Sequence, residues 1–462
     1  FLANLGASGI HTRRLTVGFY SVSGLFPGFL RIANEHCSIA EKRGSLPGNL
    51  PNPTKGNVVA ALLAKKFDVG LMVKNDKQAA ADQAARRKDF QKVKDNLTEG
   101  LKRRPDEISE DFELRKRSLL HSLAELERFI AESAELTLGW TTDAPKKEAR
   151  LDFELTTIPG SSLETSAKLL GQAPGMFASV PRSADAIFSV RVNFPLDDLR
   201  KTNVLEAIKQ ARTSAGKHID AAKGKTAEQK DAQKETSEMW FDMLNAVTNT
   251  SGLDAMIEVS QASGEKANLV FGFKAPNGND LKPIVELIPK IWPDYKVQLN
   301  VEAVDGVTIH SISVPEKNGD FEQFFGKGTP IHVGTGPNSC WIAIGAKSLD
   351  QLKAAIGAAG NANVGNANNF LTIFGKAGPW IEHLDTRRAR LDAIDVGKKL
   401  TEAEAKAKKD REATRKLALE AFKAGKDTWE TNLDANAGKI TGSTRFDEGL
   451  LRFLGSAISK FS

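Results

Sequence analysis

Cysteine is nearly absent from this chain: Cys37 and Cys340 are the only two in 462 residues. With no CxxC and no Cys/His cluster, the common structural zinc motifs are excluded. The pair reads as two small buried hydrophobes or, in an exported protein, as one long-range disulfide. Tyrosine is as scarce, at two residues, and all aromatics make up 7% of the chain. No run of about 18 apolar residues occurs, so no helical segment is expected to span a membrane. A large charge excess is missing as well: 64 basic and 58 acidic residues leave a net charge of +6. Lys and Arg are interleaved with Glu and Asp, which suits solvated helix faces, so nucleic acid is not an expected partner.

The motifs that carry chemistry are also lacking. There is no GxxxxGK[ST] phosphate loop, no HExxH and no GxSxG elbow. Gly334-Thr335-Gly336 is a lone GxG in a segment that reads as a hairpin. Of the seven histidines, His121 and His218 fall on charged helices, His310 and His332 fall in strands where they could meet across a sheet, and His11, His36 and His383 have no second ligand at metal spacing. Asp106-Glu107 and Asp197-Asp198 stand near helix starts, where the helix dipole favours carboxylates. Trp380 and Trp429 border expected loops or helix ends and are the tryptophans best placed for an exposed contact. Trp140, Trp240 and Trp341 read as core anchors. The sequence thus assigns no catalytic, cofactor-binding or metal-ligating residue and calls for no cofactor.

What the chain does contain is a passage that occurs twice. Ala149-Arg150-Leu151-Asp152-Phe153-Glu154-Leu155 leads to Pro159-Gly160 and then Leu163, Ala167 and Leu170. Ala267-Asn268-Leu269-Val270-Phe271-Gly272-Phe273 leads to Asn277-Gly278 and then Leu281, Val285 and Ile288. The offset is constant at about 118 residues. Each copy reads as strand, turn, strand, turn, helix: Leu136, Leu138 and Trp140 alternate, as do Leu151, Phe153 and Leu155. Ser161 and Glu164 form a capping box, and Pro283 stands in a helical first turn. Further strands are expected around Val297–Val301, Val307–Ile312, Ile331–Val333 and Trp341–Ile344, with Ser348 and Gln351 capping a helix. Ile440 to Phe446, followed by Leu450, Leu451, Phe453 and Leu454, reads as a degenerate third copy.

Three charged stretches interrupt this plan. In Asn75–Ser133 two apolar stripes, Phe90-Val93-Leu97-Leu101 and Phe112-Leu119-Leu123-Leu126-Ile130, are expected to bury each other in a helical hairpin turned at Arg103–Asp106. In Val204–Val247, Gly216 and Gly224 are expected to separate two halves, and Lys398–Phe422 opens with a capping box at Thr401 and Glu404. The fold class implied is α+β: tandem related units of mainly antiparallel sheet packed with helices, plus long charged helical insertions. The expected domains are 1–135 (an α+β segment with the hairpin at 75–133), 136–250 (a repeat unit with the insertion at 204–247), 251–390 (a repeat unit) and 391–462 (a charged helix with a strand-helix segment). Residues 15–33 read as strand and turn.

Leu151-Asp152-Phe153-Glu154-Leu155 with Pro159-Gly160, together with Val180-Pro181-Arg182-Ser183-Ala184-Asp185-Ala186-Ile187, resembles large exported α+β repeat proteins of planctomycete-type bacteria. The resemblance covers roughly residues 135–360 and supplies no catalytic residue. It implies a periplasmic or extracellular setting, with Phe1 read as following a removed leader or opening a fragment. The expected function is that of a non-enzymatic exported or cell-envelope scaffold or binding protein with a protein or envelope partner. Two alternatives stand beside it: a hydrolase-like enzyme with a site assembled between repeats, and a binder of polyanions or anionic surfaces through Lys-rich helices.

Overall fold

The strand and helix signals of the sequence resolve into two antiparallel sheets and a set of helices. The computed structural model describes residues 64–461, apart from 76, 173, 251, 316–318, 360–367 and 395–400, and the backbone of four short strands between residues 11 and 40. Those strands, β1 (His11–Thr16), β2 (Phe19–Ser23), β3 (Gly28–Ala33) and β4 (His36–Ala40), form a meander. The side chains within residues 1–63, those of His11, His36 and Cys37 included, lie outside the described set.

From residue 69 onward one order of elements recurs. Strand β5 (Val69–Lys74) is followed by helices α1 (Ala80–Glu99) and α2 (Ser109–Glu132), strands β6 (Ser133–Asp143) and β7 (Glu148–Thr157), and helix α3 (Ser162–Leu170). Strand β8 (Ala186–Phe194) is followed in the same way by α4 (Asp198–Ala221), α5 (Ala227–Thr250), β9 (Leu253–Ser260), β10 (Asn268–Lys274) and α6 (Lys282–Ile291). After an additional strand, β11 (Lys296–Val304), come β12 (Val307–Ser313), a single helix α7 (Gly319–Phe325), β13 (Ile331–Thr335), β14 (Ser339–Ile344) and α8 (Ser348–Ala359). The last passage is β15 (Asn369–Lys376), α9 (Ala377–Ile394), α10 (Glu402–Ala424), β16 (Thr428–Asn436), β17 (Lys439–Asp447) and α11 (Glu448–Phe461).

Strands β5 to β17 build one antiparallel sheet of 13 strands in the order β11-β12-β13-β14-β10-β9-β8-β15-β16-β17-β7-β6-β5. Directly opposed residues share a face, so each face can be followed across the strands. One row runs Leu71, Leu138, Phe153, Gly442, Leu433, Leu371, Val192, Ala255 and Phe273. This face is apolar and helix-covered: Leu170 of α3 packs with Leu433, Ala435 and Ile440, Met243 and Val247 of α5 with Ala255 and Phe273, and Val285 of α6 with Ile312 and Val333. The next row runs Gly139, Asp152, Ser443, Asn432, Thr372, Arg191, Met256, Gly272 and Trp341 on the opposite face. There, Leu352 and Ile356 of α8 cover Met256, Val270, Trp341 and Ala343. The row is polar from Asp152 to Arg191.

Several expectations are met in detail. Thr401 and Glu404 form a reciprocal capping box, and α1 and α2 fold back on either side of Arg103–Asp106. Others are corrected. Phe90 and Leu123 are buried, but Val93, Leu97, Leu126 and Ile130 stay exposed, because two helices in contact can seat only the residues on their shared line. Helix α4 runs through Gly216, and the break falls at Gly224, whose φ of 74° suits glycine. Ser348 donates to the Gly345 carbonyl at 2.7 Å, and Gln351 turns to Ser260 rather than closing a box.

Candidate functional site

The polar half of the second sheet face forms the floor of two adjoining hollows of about 350 and 450 Å³. They share Asn432 and Asp434 and together cross β7, β17, β16, β15, β8 and β9. The floor is a direct product of strand periodicity: Arg150, Asp152 and Glu154 on β7, Asn432 and Asp434 on β16, and Thr441 and Ser443 on β17 alternate with residues of the packed face.

The first hollow is walled by the segment before β5. Lys65 Nζ lies 2.6 Å from Glu154 Oε2, and Lys439 Nζ lies 2.7 Å from Oε1 of the same carboxylate. Burial pushes the Glu154 carboxyl up, and the two ammonium groups more than reverse this, leaving it below the usual carboxylate range. Phe67 lies over Gly139, where a Cβ would meet its ring at 2.3 Å. Arg150 Nε donates to Asp152 Oδ2 at 2.9 Å.

The second hollow is walled by residues 175–178. The Met176 N–H donates to Asp254 Oδ2 at 2.7 Å, and a Cβ on Gly175 would stand 3.1 Å from Asp254 Oδ1. That Oδ1 is buried without a hydrogen-bond partner, and desolvation raises the Asp254 carboxyl above its ordinary range. Arg191 Nη1 donates to Ser189 Oγ at 2.8 Å, while Nη2 stands 3.6 Å from Glu258 Oε2. The Nε and Nη2 atoms of Arg191 make no hydrogen bond, and burial lowers the guanidinium against the opposing pull of Glu258. The Thr372 hydroxyl lies 3.0 Å from Oδ1 of both Asn369 and Asn432. The ionised lining is nearly balanced: Lys65, Arg150 and Arg191 face Asp152, Glu154, Asp254 and Asp434.

The residues weighed in the sequence lie elsewhere. Gly334-Thr335-Gly336 closes β13 and enters the β13–β14 hairpin. His310 and His332 sit on neighbouring strands but opposite Val333 and Ser311, which puts them on opposite faces; both are buried and held below the usual imidazole range by desolvation. His218 pairs with Asp111 at 2.9 Å. Asp197 caps α4, accepting from the Arg200 N–H at 2.9 Å, and Glu107 is pulled down to about 2 by Arg115 and the Arg104 amide. The expected exposed tryptophans are corrected: Trp380 packs with Phe188 and Phe324, and Trp429 lies inside β16 over Gly375. Trp292 is the exposed one, at 47%. Among the described residues no group of three or more His, Cys, Asp and Glu is arranged to hold a metal ion, and no helix is long and apolar enough to cross a membrane.

Sequence reasoning passed over the hollow-forming residues because those of β7 read as the solvent side of a half-buried strand and no strand is expected from the sequence around Asn432 and Asp434. The available signal was that Arg150, Asp152 and Glu154 and then Asn432 and Asp434 are polar at every alternate position, on strands that the topology makes near neighbours. Comparison with known proteins adds no relative: no family model matches the chain, and no curated protein and no solved structure matches it.

Proposed function

We propose that this is a non-enzymatic binding protein of the cell envelope, built from four related modules, that takes an extended hydrogen-bonding ligand on the open polar face of its sheet. The observation that carries the reading is the two-lobed polar hollow, whose floor draws on strands β7, β17, β16, β15, β8 and β9. Asn, Thr, Ser, Asp and Arg side chains present donors and acceptors together, in near charge balance. That suits a neutral polar chain better than a polyanion.

The module reading rests on element order and register. Phe153 lies opposite Leu138 and Gly442, and Phe271 lies opposite Ile257 and Ile342. Leu433 opposes Gly442, and Val333 opposes Ile342. The modules would run about 69–170, 186–291, 307–359 and 369–461, with each helical hairpin inside its module between the first and second strands. The exported setting is part of the same proposal and rests on the sequence resemblance; fractionation of native cells would test it.

The test of the site is binding of the full chain and of an Asn432→Ala/Asp434→Ala variant to arrays of cell-surface glycans and of peptides. Capture by the wild type that the variant loses supports the reading. No capture by the wild type, or equal capture by both, removes it. One observation favours a hydrolase instead, the raised Asp254 carboxyl beside a hollow. Its Oδ2 accepts from the Met176 amide and its Oδ1 is buried, which leaves neither oxygen both exposed and free of a hydrogen bond.

A further inference from the structure

We infer that two copies of this chain pair through β5, in register about Met72, and join their sheets into one. The inference rests on the module reading above. The first strand of each module is β5, β8, β12 or β15. Within the chain, β8 and β15 pair with each other, and β12 pairs with β11. Strand β5 ends the sheet order among the described strands. A first strand therefore has an antiparallel mate of its own kind at one place in the fold, and at another it has none.

The exposed side chains fit that mate. Val69, Leu71 and Val73 are 47%, 54% and 48% exposed, on the same face as Leu138 and Phe153. Helices α1 and α2, which leave β5 and return to β6, carry the exposed Val93, Leu97, Leu126 and Ile130. An edge with this composition is one that proteins otherwise blunt with charge or proline. A patch that is its own complement closes as an isologous dimer.

The internal pair also fixes the register. Val190 opposes Ile257, which opposes Phe271; Leu71 opposes Leu138, which opposes Phe153. Leu71 is thus the counterpart of Val190, and Met72 of Arg191. By the same rule Leu371, opposite Leu433 and so in line with Gly442, matches Leu71, and Thr372 matches Met72. Since Arg191 opposes Thr372 and Val192 opposes Leu371, the dimer would set Met72 against Met72 of the second copy and Val73 against its Leu71.

The experiment uses the full chain. Sedimentation should find a dimer for the wild type and a monomer for Leu71→Lys, a surface change that leaves the circular dichroism spectrum unaltered. Opposed Cα atoms stand about 4.5–5.5 Å apart, within disulfide reach, so oxidised Met72→Cys should link into covalent dimers, made in a Cys37→Ser/Cys340→Ser background. A wild type that is monomeric at every soluble concentration, or a dimer that Leu71→Lys leaves intact, overturns the β5 interface while the module reading stands. A β5 dimer that links through Gly70→Cys and not Met72→Cys overturns the register, and with it the module equivalence that set it.

Discussion

Trp341 on β14 lies over Gly272, its directly opposed neighbour on β10, so closely that a Cβ on Gly272 would come within 2.6 Å of the indole. The same added carbon would stand 2.9 Å from Phe177, and Trp341 and Phe177 are both fully buried, with ring centroids 5.2 Å apart. Neither ring has room to retreat. Gly272→Ala should therefore cost about 1–3 kcal/mol, the range for overpacking a filled core, with Gly264→Ala, in open space, as a control for chain effects whose own cost comes only from its φ of 77°. Urea denaturation of both variants checks this; equal stability of wild type and Gly272→Ala would mean that the core around Trp341 is loose.

How much of this could be read in advance follows from which forces are local. The strands around Phe153, Phe271, Val297–Val301 and Val307–Ile312 and the capped start of α10 were legible, because alternation and caps act over a few positions. The α+β class followed. Strand order did not, because it is set by pairings such as Phe153 with Gly442, which are distant in sequence and leave no periodic trace. The hollow stayed hidden for the same reason. Asp152, Asn432 and Arg191 become neighbours only once β17, β16 and β15 are inserted between β7 and β8.

Arg128 and Asp197 form an ion pair that the sequence did not signal, and it should be among the costliest to break. The two are 2% and 8% exposed, and Arg128 Nη1 donates to Asp197 Oδ2 at 2.8 Å. Arg128 comes from α2, while Asp197 caps α4, so the pair ties two helical hairpins together. Removing one partner leaves an unmatched buried charge, and Arg128→Ala should cost about 3–5 kcal/mol. Burial by itself would raise the Asp197 carboxyl; the Arg200 amide and Arg128 pull it below its ordinary value instead. A lowered native pKa contributes stability that is present above the unfolded-state value and lost as the pH falls through the native one. Thermal melts from pH 6 downward should show that loss in the wild type, and Asp197→Asn should lack this share of it.

Asp254 should behave in the opposite sense. Desolvation raises its carboxyl, opposed by the Met176 amide. A raised native pKa means that folding takes up a proton, so this group's contribution is full below the unfolded-state value and is lost as the pH climbs through the native one. Asp254→Asn keeps an acceptor for Met176 and removes the buried charge. Melts at matched pH values should show the variant at least as stable as wild type at neutral pH, with its relative gain shrinking toward acid. A variant that is destabilised equally at every pH would show that the unpaired oxygen, and not its ionisation, is what the site depends on.

Cys340 gives the last prediction, and it decides between the two readings of the cysteines. The residue is fully buried, its Sγ lies 3.4 Å from the Gly278 carbonyl oxygen, and desolvation pushes the thiol up to about 12. It is a free cysteine in the core. The thiolate is the reactive form, so at pH 8 both accessibility and ionisation stand against attack. In a Cys37→Ser variant, Ellman's reagent should label no thiol in native protein and one thiol per chain in guanidinium chloride. Rapid labelling of the native variant would show that the core beneath β14 opens readily. Loss of stability on replacing Cys37 alone, matched by its loss on reduction of the wild type, would instead establish the long-range disulfide.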